Sequence, residues 1–192
     1  NANIVPVGQD QLPHLELTRQ IASRFDRRFG RADKDHPVFR RPDALLSEAP
    51  LILGTDGAKM AKSRGNMIEL GFTADQTAAV LKKAKTDSDR NITYDPVGRP
   101  EVSNLLMIAG LASGRDPIEI AAESGDGGGG KLKLVVTEAV NEALAPMRAR
   151  RAELAGDPAY LESVLAAGNE KANEVADKTL AEVREAMQMV YY

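Results

Sequence analysis

Cysteine is absent from all 192 residues. Disulfide cross-links and thiolate metal sites are thereby excluded, and nothing points specifically to an oxidising compartment. Imidazole is scarce: His14 and His36 are the whole supply, too little for a zinc centre, so no metal site is expected. Long hydrophobic runs are missing too. No apolar stretch approaches the ~20 residues that span a bilayer, so no membrane partner is expected. The start carries neither the basic segment nor the apolar core of a secretory leader, and none is expected. Asn3-Ile4-Val5-Pro6-Val7-Gly8 reads instead as the middle of a domain, which suggests a piece of a longer protein. Excess charge of either sign is small, with a net charge of -3 and a pI near 5.5. Any nucleic-acid contact therefore needs a local basic patch rather than the overall field.

What remains is ordinary for a globular chain: 43% hydrophobic and 28% charged residues, enough for one large domain or two small ones. Ile4 to Val7 is a short β-rich run that predicts a buried strand. Asp10 is placed to cap a helix starting near Gln11, with Pro13 in its first turn. Leu17, Ile21, Phe25 and Phe29 recur at nearly helical spacing, and Gly30 supplies a stop. Residues 31–49 are polar and proline-punctuated, as a connection would be. Leu51 to Leu53 predicts a second short strand, followed by a turn at Thr55-Asp56-Gly57 and a loop running to Asn66.

Beyond about residue 70 the pattern is helical. Thr73 and Gln76 make a capping box. Val102, Leu105, Leu106 and Ala109 form a stripe behind Pro100, and Asp116-Pro117 and Asp157-Pro158 are helix starts. The glycine-rich run 125–130 predicts a flexible loop. Leu132, Val135, Val136, Ala139 and Ala143 mark a long helix, and Gly168-Asn169 a break in the last one. The fold expected is α/β plus all-α and mostly helical: a partial Rossmann-type unit over residues 1–70, then a helical bundle over residues 71–192.

The residues with the most chemical content are Lys59-Met60-Ala61-Lys62-Ser63. Two lysines three apart, in a loop after a strand and a turn, suit the neutralisation of a polyphosphate that moves during reaction. A solvated basic turn would look the same. At Gly8-Gln9-Asp10-Gln11 a strand ends in glycine and a helix begins, which is where α/β sheets bind ligands. Glycine lets a nucleotide approach the backbone, the helix start offers free N–H groups, and Asp10 could take ribose hydroxyls or simply cap the helix. Gly125-x-x-x-x-Gly130-Lys131 imitates a phosphate-binding loop, but Leu132 stands where a magnesium-binding hydroxyl is needed and no strand precedes it.

These motifs in order resemble the tryptophanyl-tRNA synthetases, a family of class I aminoacyl-tRNA synthetases. Lys59 to Ser63 is similar to the Lys-Met-Ser-Lys-Ser signature, with Ala61 in place of the middle serine. Val5 to Gln11, His14 to Arg19, Thr86 to Asp89, Val102 to Leu106, Leu132-Lys133 and the pattern Ala172, Ala176, Thr179-Leu180 also look like that family. The resemblance implies an ATP-dependent ligase that makes tryptophanyl-adenylate and transfers the tryptophanyl group to its tRNA. It further implies Mg2+ accompanying ATP, a cytoplasmic setting and a homodimeric intact enzyme.

Carried over, Lys59 and Lys62 would be the catalytic cations on the β- and γ-phosphates. Gly8, Gln9, Asp10, Leu51, Met60, Ala61 and Ser63 would complete the ATP site. The helices would form a tRNA anticodon-binding-like domain, where Arg148, Arg150 and Arg151 offer phosphate contacts or a complement to the helix dipole. The family's His-x-Gly-His string does not occur here, nor its acidic residue for the indole N–H. The expectation is a C-terminal portion, inactive alone. A tyrosyl-tRNA synthetase-like enzyme and a non-catalytic tRNA-binding helical module remain alternatives at this point.

Overall fold

Parallel strands cannot be joined by a tight turn; they need a crossover of a dozen residues or more. The start of the chain is such a crossover. In the computed structural model, which describes residues 2–30, 37–47, 49 and 51–190, strand β1 (Ile4–Pro6) leads through helix α1 (Leu12–Phe29) to strand β2 (Asp43–Leu45). The two strands pair in parallel, Val5 opposite Ala44. The predicted second strand at Leu51–Leu53 is thus misplaced: β2 lies inside the segment expected to be a connection, and Leu53 makes only an isolated antiparallel bridge to Lys59. Three residues carry too little alternation to announce a strand. Nor is β1 buried, since Ile4 is 60% exposed. A two-stranded sheet covers little of its own faces.

The helix after β1 also departs from expectation. A 3-10 turn at Gln9–Gln11 precedes α1, the N-cap is Gln11, and no side chain caps either element. Asp10 is therefore not the cap. The expected stripe is displaced around the helix: Leu15 and Ala22 are buried, while Leu17 and Ile21 are 54% and 59% exposed. Phe25 does pack, with Phe29 at 5.3 Å and edge-on to Phe39 at 4.9 Å. Gly30 follows α1, and a Cβ there would lie 2.1 Å from the Asp26 carbonyl oxygen, so only glycine fits.

Helices α2 (Ala74–Lys82), α3 (Pro100–Ser113), α4 (Pro117–Ser124) and α5 (Gly128–Ala155) follow, then α6 (Pro158–Ala186). The starts of α2, α3, α4 and α6 are the predicted ones. Thr73 Oγ1 accepts from Gln76 N and Gln76 Oε1 from Thr73 N, completing the capping box. Asp116 accepts from Ile118 N and Asp157 from Tyr160 N. The stripe Val102, Leu105, Leu106 and Ala109 is buried and meets Leu81, Leu132 and Val136 in one core.

Two predictions about glycine fail. The run 125–130 is not a flexible loop: a 3-10 turn occupies Gly125–Gly127, and α5 begins at Gly128. Gly128 N donates to Arg90 O, Ile92 N donates to Gly125 O, and a Cβ on Gly129 would lie 2.6 Å from Thr86 Oγ1. Close approach, not flexibility, is the use of these glycines. Lys131 Nζ reaches back to the carbonyls of Glu123 and Ser124 at the end of α4, so this lysine is a helix cap and not a phosphate ligand. Gly168-Asn169 does not interrupt α6, because one interior glycine costs only ~1 kcal/mol in a long helix.

Chain contacts divide into two compact units. One gathers the chain up to Leu51 together with Asp157 onward; the other is Ile52–Gly156. This division differs from the expected one at residue 70 and puts the lysine loop in the same unit as α2 to α5.

Candidate active-site loops

The lysine loop is a short antiparallel excursion fixed at both ends. Leu53 pairs with Lys59, Gly54 N donates to Ala58 O, and Thr55 N donates to Asn66 O. Gly57 turns the chain at φ 80, a conformation that glycine adopts without strain. Lys62–Arg64 form a 3-10 turn that Gly65 closes in the left-handed region. Beneath the loop lies Asn66, 3% exposed. Its Oδ1 accepts from Ala61 N at 2.9 Å, and its Nδ2 donates to Lys59 O at 3.1 Å and to Asp56 Oδ1 at 2.7 Å. One buried amide thus holds the backbone on both sides of Met60.

Asp56 carries the other end of that network. It accepts from Asn66, from Ala58 N at 3.0 Å and from Arg64 Nε at 3.1 Å. Those bonds, led by the one from Asn66, hold its carboxyl below the usual aspartate value. Asn104 on α3 anchors the strand before the turn, accepting from Leu53 N at 2.8 Å and donating to Leu53 O at 3.1 Å. Lys85 N donates to Thr55 O, and Lys85 Nζ pairs with Glu101 at 2.6 Å. Hydrogen bonding to Lys85 holds the Glu101 carboxyl down, and the same bond raises the Lys85 ammonium.

The consequence is a rigid platform with exposed side chains. Lys59, Lys62 and Ser63 are all exposed. Met60 faces elsewhere: with Leu53, Ile68, Ile108 and Leu144 it lines an apolar pocket of about 330 Å3. Asn66, Asp56 and Asn104 were missed as supporting residues. Their partners are main-chain groups in a loop, and such contacts leave no periodic signal. The only hint was the Asp-Gly turn.

The second candidate segment sits at the carboxyl end of β1. Val7 N donates to Leu45 O, Gly8 O accepts from Gln11 N, and the chain enters the turn and then α1. Gly8 is half-buried, Gln9 and Asp10 are exposed, and Gln11 Nε2 donates to Asp10 Oδ2 at 3.3 Å. Leu51 is exposed at the end of the same unit. The expected imidazole at His14 is on the exposed face of the first turn of α1, while His36 lies outside the described residues.

The arginine cluster late in α5 is split. Arg148 donates to Asn141 Oδ1 at 2.8 Å and to Thr77 Oγ1 at 2.9 Å, stapling α5 to α2. Arg150 pairs with Glu153 at 2.5 Å, and Arg151 is exposed. The expected trio does not form one surface patch, because the Arg148 guanidinium is used inside the unit.

A family model described as tRNA synthetases class I (W and Y) matches residues 1–145. The chain belongs to the class I tRNA synthetases. Within this family, it is 43% identical over 192 residues to a tryptophan–tRNA ligase of Nostoc sp., covering 97% of this chain and 56% of that protein. It is 38% identical to a tryptophan–tRNA ligase of Aquifex aeolicus, over 96% of this chain and 46% of that protein. The chain thus spans about half the length of the curated relatives it matches. The tryptophanyl-tRNA synthetase of Campylobacter jejuni, solved with ADP and tryptophan, superimposes with a TM-score of 0.66 at 30% identity, covering 97% of this chain and 57% of that one. That of Mycoplasma pneumoniae shares the fold, with a TM-score of 0.81 at 24% identity over 98% of this chain and 56% of that one.

Proposed function

We propose that this class I synthetase chain serves a tryptophan–tRNA ligase, forming tryptophanyl-adenylate from tryptophan and ATP and passing the tryptophanyl group to its tRNA. The observation that carries this reading is the pair of exposed lysines on a loop whose backbone is pinned from below by Asn66. Residues 1–70 supply the catalytic part and the helices beyond them the tRNA-facing part. The intact enzyme works as a cytoplasmic homodimer.

In the first step an oxygen of the tryptophan carboxylate attacks the α-phosphorus, and the bond from that phosphorus to the bridging oxygen breaks. Pyrophosphate departs with the electron pair. Negative charge grows on the leaving group, so a fixed cation gains most in the transition state. Lys59 and Lys62 supply it on long stems, with the Ser63 hydroxyl beside them. Ala61 and Met60 contribute main chain only. The Asn66 bond to Ala61 N uses that N–H from behind, so the lysines carry the charge stabilisation. Gly8, Gln9 and Asp10 hold the nucleoside end through backbone N–H groups and a carboxylate on ribose, and Leu51 flanks the adenine. ATP enters with Mg2+ as its companion ion. Bound with ATP, it would offset phosphate charge.

The test is pyrophosphate exchange by the full-length protein with single amino acids. Exchange dependent on tryptophan is the expected result. Exchange with tyrosine instead would move the chain to the sister specificity, and exchange with neither would leave a tRNA-binding module.

A further inference from the structure

We propose that Arg24, Arg27 and Arg41 form a site for the sugar–phosphate backbone of RNA, a tRNA contact on the first compact unit. The inference rests on the tRNA ligase reading for the identity of the RNA. Its physical basis is a polar concavity of about 460 Å3 along one face of α1, lined by Glu16, Arg19, Gln20, Ser23, Arg24, Arg27 and Arg41.

Four guanidinium groups face this concavity against one carboxylate. They are not equivalent. Arg19 is structural: its Nε donates to Pro42 O at 2.7 Å, its Nη2 pairs with Asp43 at 2.7 Å, and Glu16 lies 3.7 Å from its Nη1. These bonds clamp the segment before β2 against α1 and so hold Arg41 opposite Arg24 and Arg27. Glu16 is thereby matched to Arg19. Arg24, Arg27 and Arg41 are exposed and make no hydrogen bond or ion pair among the described residues.

Three guanidinium groups without an ion-pair partner among the described residues repel one another across one concavity, and a multivalent anion turns that into attraction. The chain as a whole is acidic at -3, so the patch is local and not a sample of a basic surface. Guanidinium forks suit phosphate oxygens bidentately and shed water readily.

The triphosphate of ATP is not the ligand. Arg24 stands 12 residues beyond the start of α1 at Leu12, about 18 Å along the helix at 1.5 Å per residue, too far for one triphosphate to serve both ends. A polymer of phosphates fits a second, distant site.

The experiment uses the full-length protein and a transcript of tryptophan tRNA, with affinity measured across a salt series. The triple variant Arg24→Ala, Arg27→Ala, Arg41→Ala should raise Kd at least ~10-fold at low salt. It should also make the plot of log affinity against log salt shallower by about 2, near 0.7 per lost phosphate contact. The charge-keeping triple Arg→Lys variant should recover most of the salt slope. Tryptophan-dependent pyrophosphate exchange should keep the wild-type rate, which doubles as the check on folding; the single variant Arg27→Glu serves if the triple one is unstable. An unchanged Kd and slope overturns the site. So does a loss of exchange equal to the loss of binding, since that marks a structural role. If the wild type shows no tryptophan-dependent exchange but its tRNA affinity still drops in the variant, the ligase reading fails while the RNA site stands.

Discussion

The lysine loop stands on a hydrophobic core, whereas the Gly8 turn stands on two three-residue strands and one helix. In the second unit, Leu106, Leu132 and Val136 are fully buried, and Asn66 and Asn104 tie the loop backbone with their side chains, as Lys85 does with its N–H to Thr55 O. In the first unit the turn is shaped by backbone bonds, and its neighbours Leu17 and Ile21 are exposed. Over-determination by side chains fixes where a lysine stem begins. A backbone-made turn presents N–H groups that no mutation of a neighbouring side chain easily removes. The two loops therefore tolerate different changes.

The sharpest contrast is in stability. Leu106→Ala should lower unfolding free energy by about 2–5 kcal/mol, whereas Ile21→Ala should shift it by no more than about 0.5 kcal/mol; urea titration of both variants measures the difference. A comparable loss at Ile21 would show that the first unit buries more than its exposure indicates. Next comes Arg148→Ala. It removes charge-assisted bonds to Asn141 and Thr77 and should cost about 1.5–3 kcal/mol. Arg151→Ala should leave stability nearly unchanged. Were the two equal in the same titration, the staple between α5 and α2 would carry no weight.

Asn66→Ala leaves Ala61 N and Lys59 O without their buried partner and should cost about 1–3 kcal/mol. In the first unit, Gln9→Ala should fall within about 0.5 kcal/mol. The Asn66 variant should also slow adenylate formation, because the lysine stems lose their fixed origin. A destabilised variant with unimpaired adenylation would separate loop order from chemistry.

The smallest effect is that of pH. Asp56 is held below its usual value by Asn66, Ala58 N and Arg64, so its folded-state ionisation lies below its unfolded one. Its stabilising contribution is complete above the unfolded value near 4 and is lost as pH falls through the folded value. Asp56→Asn should flatten the acid limb of the stability curve while leaving the neutral region with a constant offset. Parallel acid limbs would remove Asp56 from the network.

Legibility in the sequence followed the physical range of each signal. Caps are local, and Thr73, Asp116 and Asp157 announce them in the residues that make the bonds. The stripe Val102 to Ala109 is periodic and buried. The lysine pair is chemically conspicuous, and its family resemblance is matched by the relatives. What escaped detection depends on distant partners. β2 exists through its pairing with β1, some 39 residues earlier, with Asp43 N finding Asn3 O and Leu45 O taking Val7 N. The glycines at 125–130 are ordered by Arg90 and Ile92, some 35 residues earlier. Asn66 looks like any loop asparagine until its neighbours are assembled around it. On α1, the spacing of Leu17, Ile21, Phe25 and Phe29 pointed to one face, but packing chose Leu15 and Ala22 instead.

In the proposed reaction the ammonium groups on the lysine loop act on the departing pyrophosphate. Single-turnover formation of tryptophanyl-adenylate by the full-length enzyme, wild type against Lys62→Ala, tests it most directly. A charge-assisted contact contributes about 1.5–3 kcal/mol and each 1.36 kcal/mol is about tenfold in rate, so the expected result is a rate at least ~10-fold slower with ATP binding little changed. An unaltered rate constant in the variant would contradict the claim and return the loop to the status of a solvated basic turn.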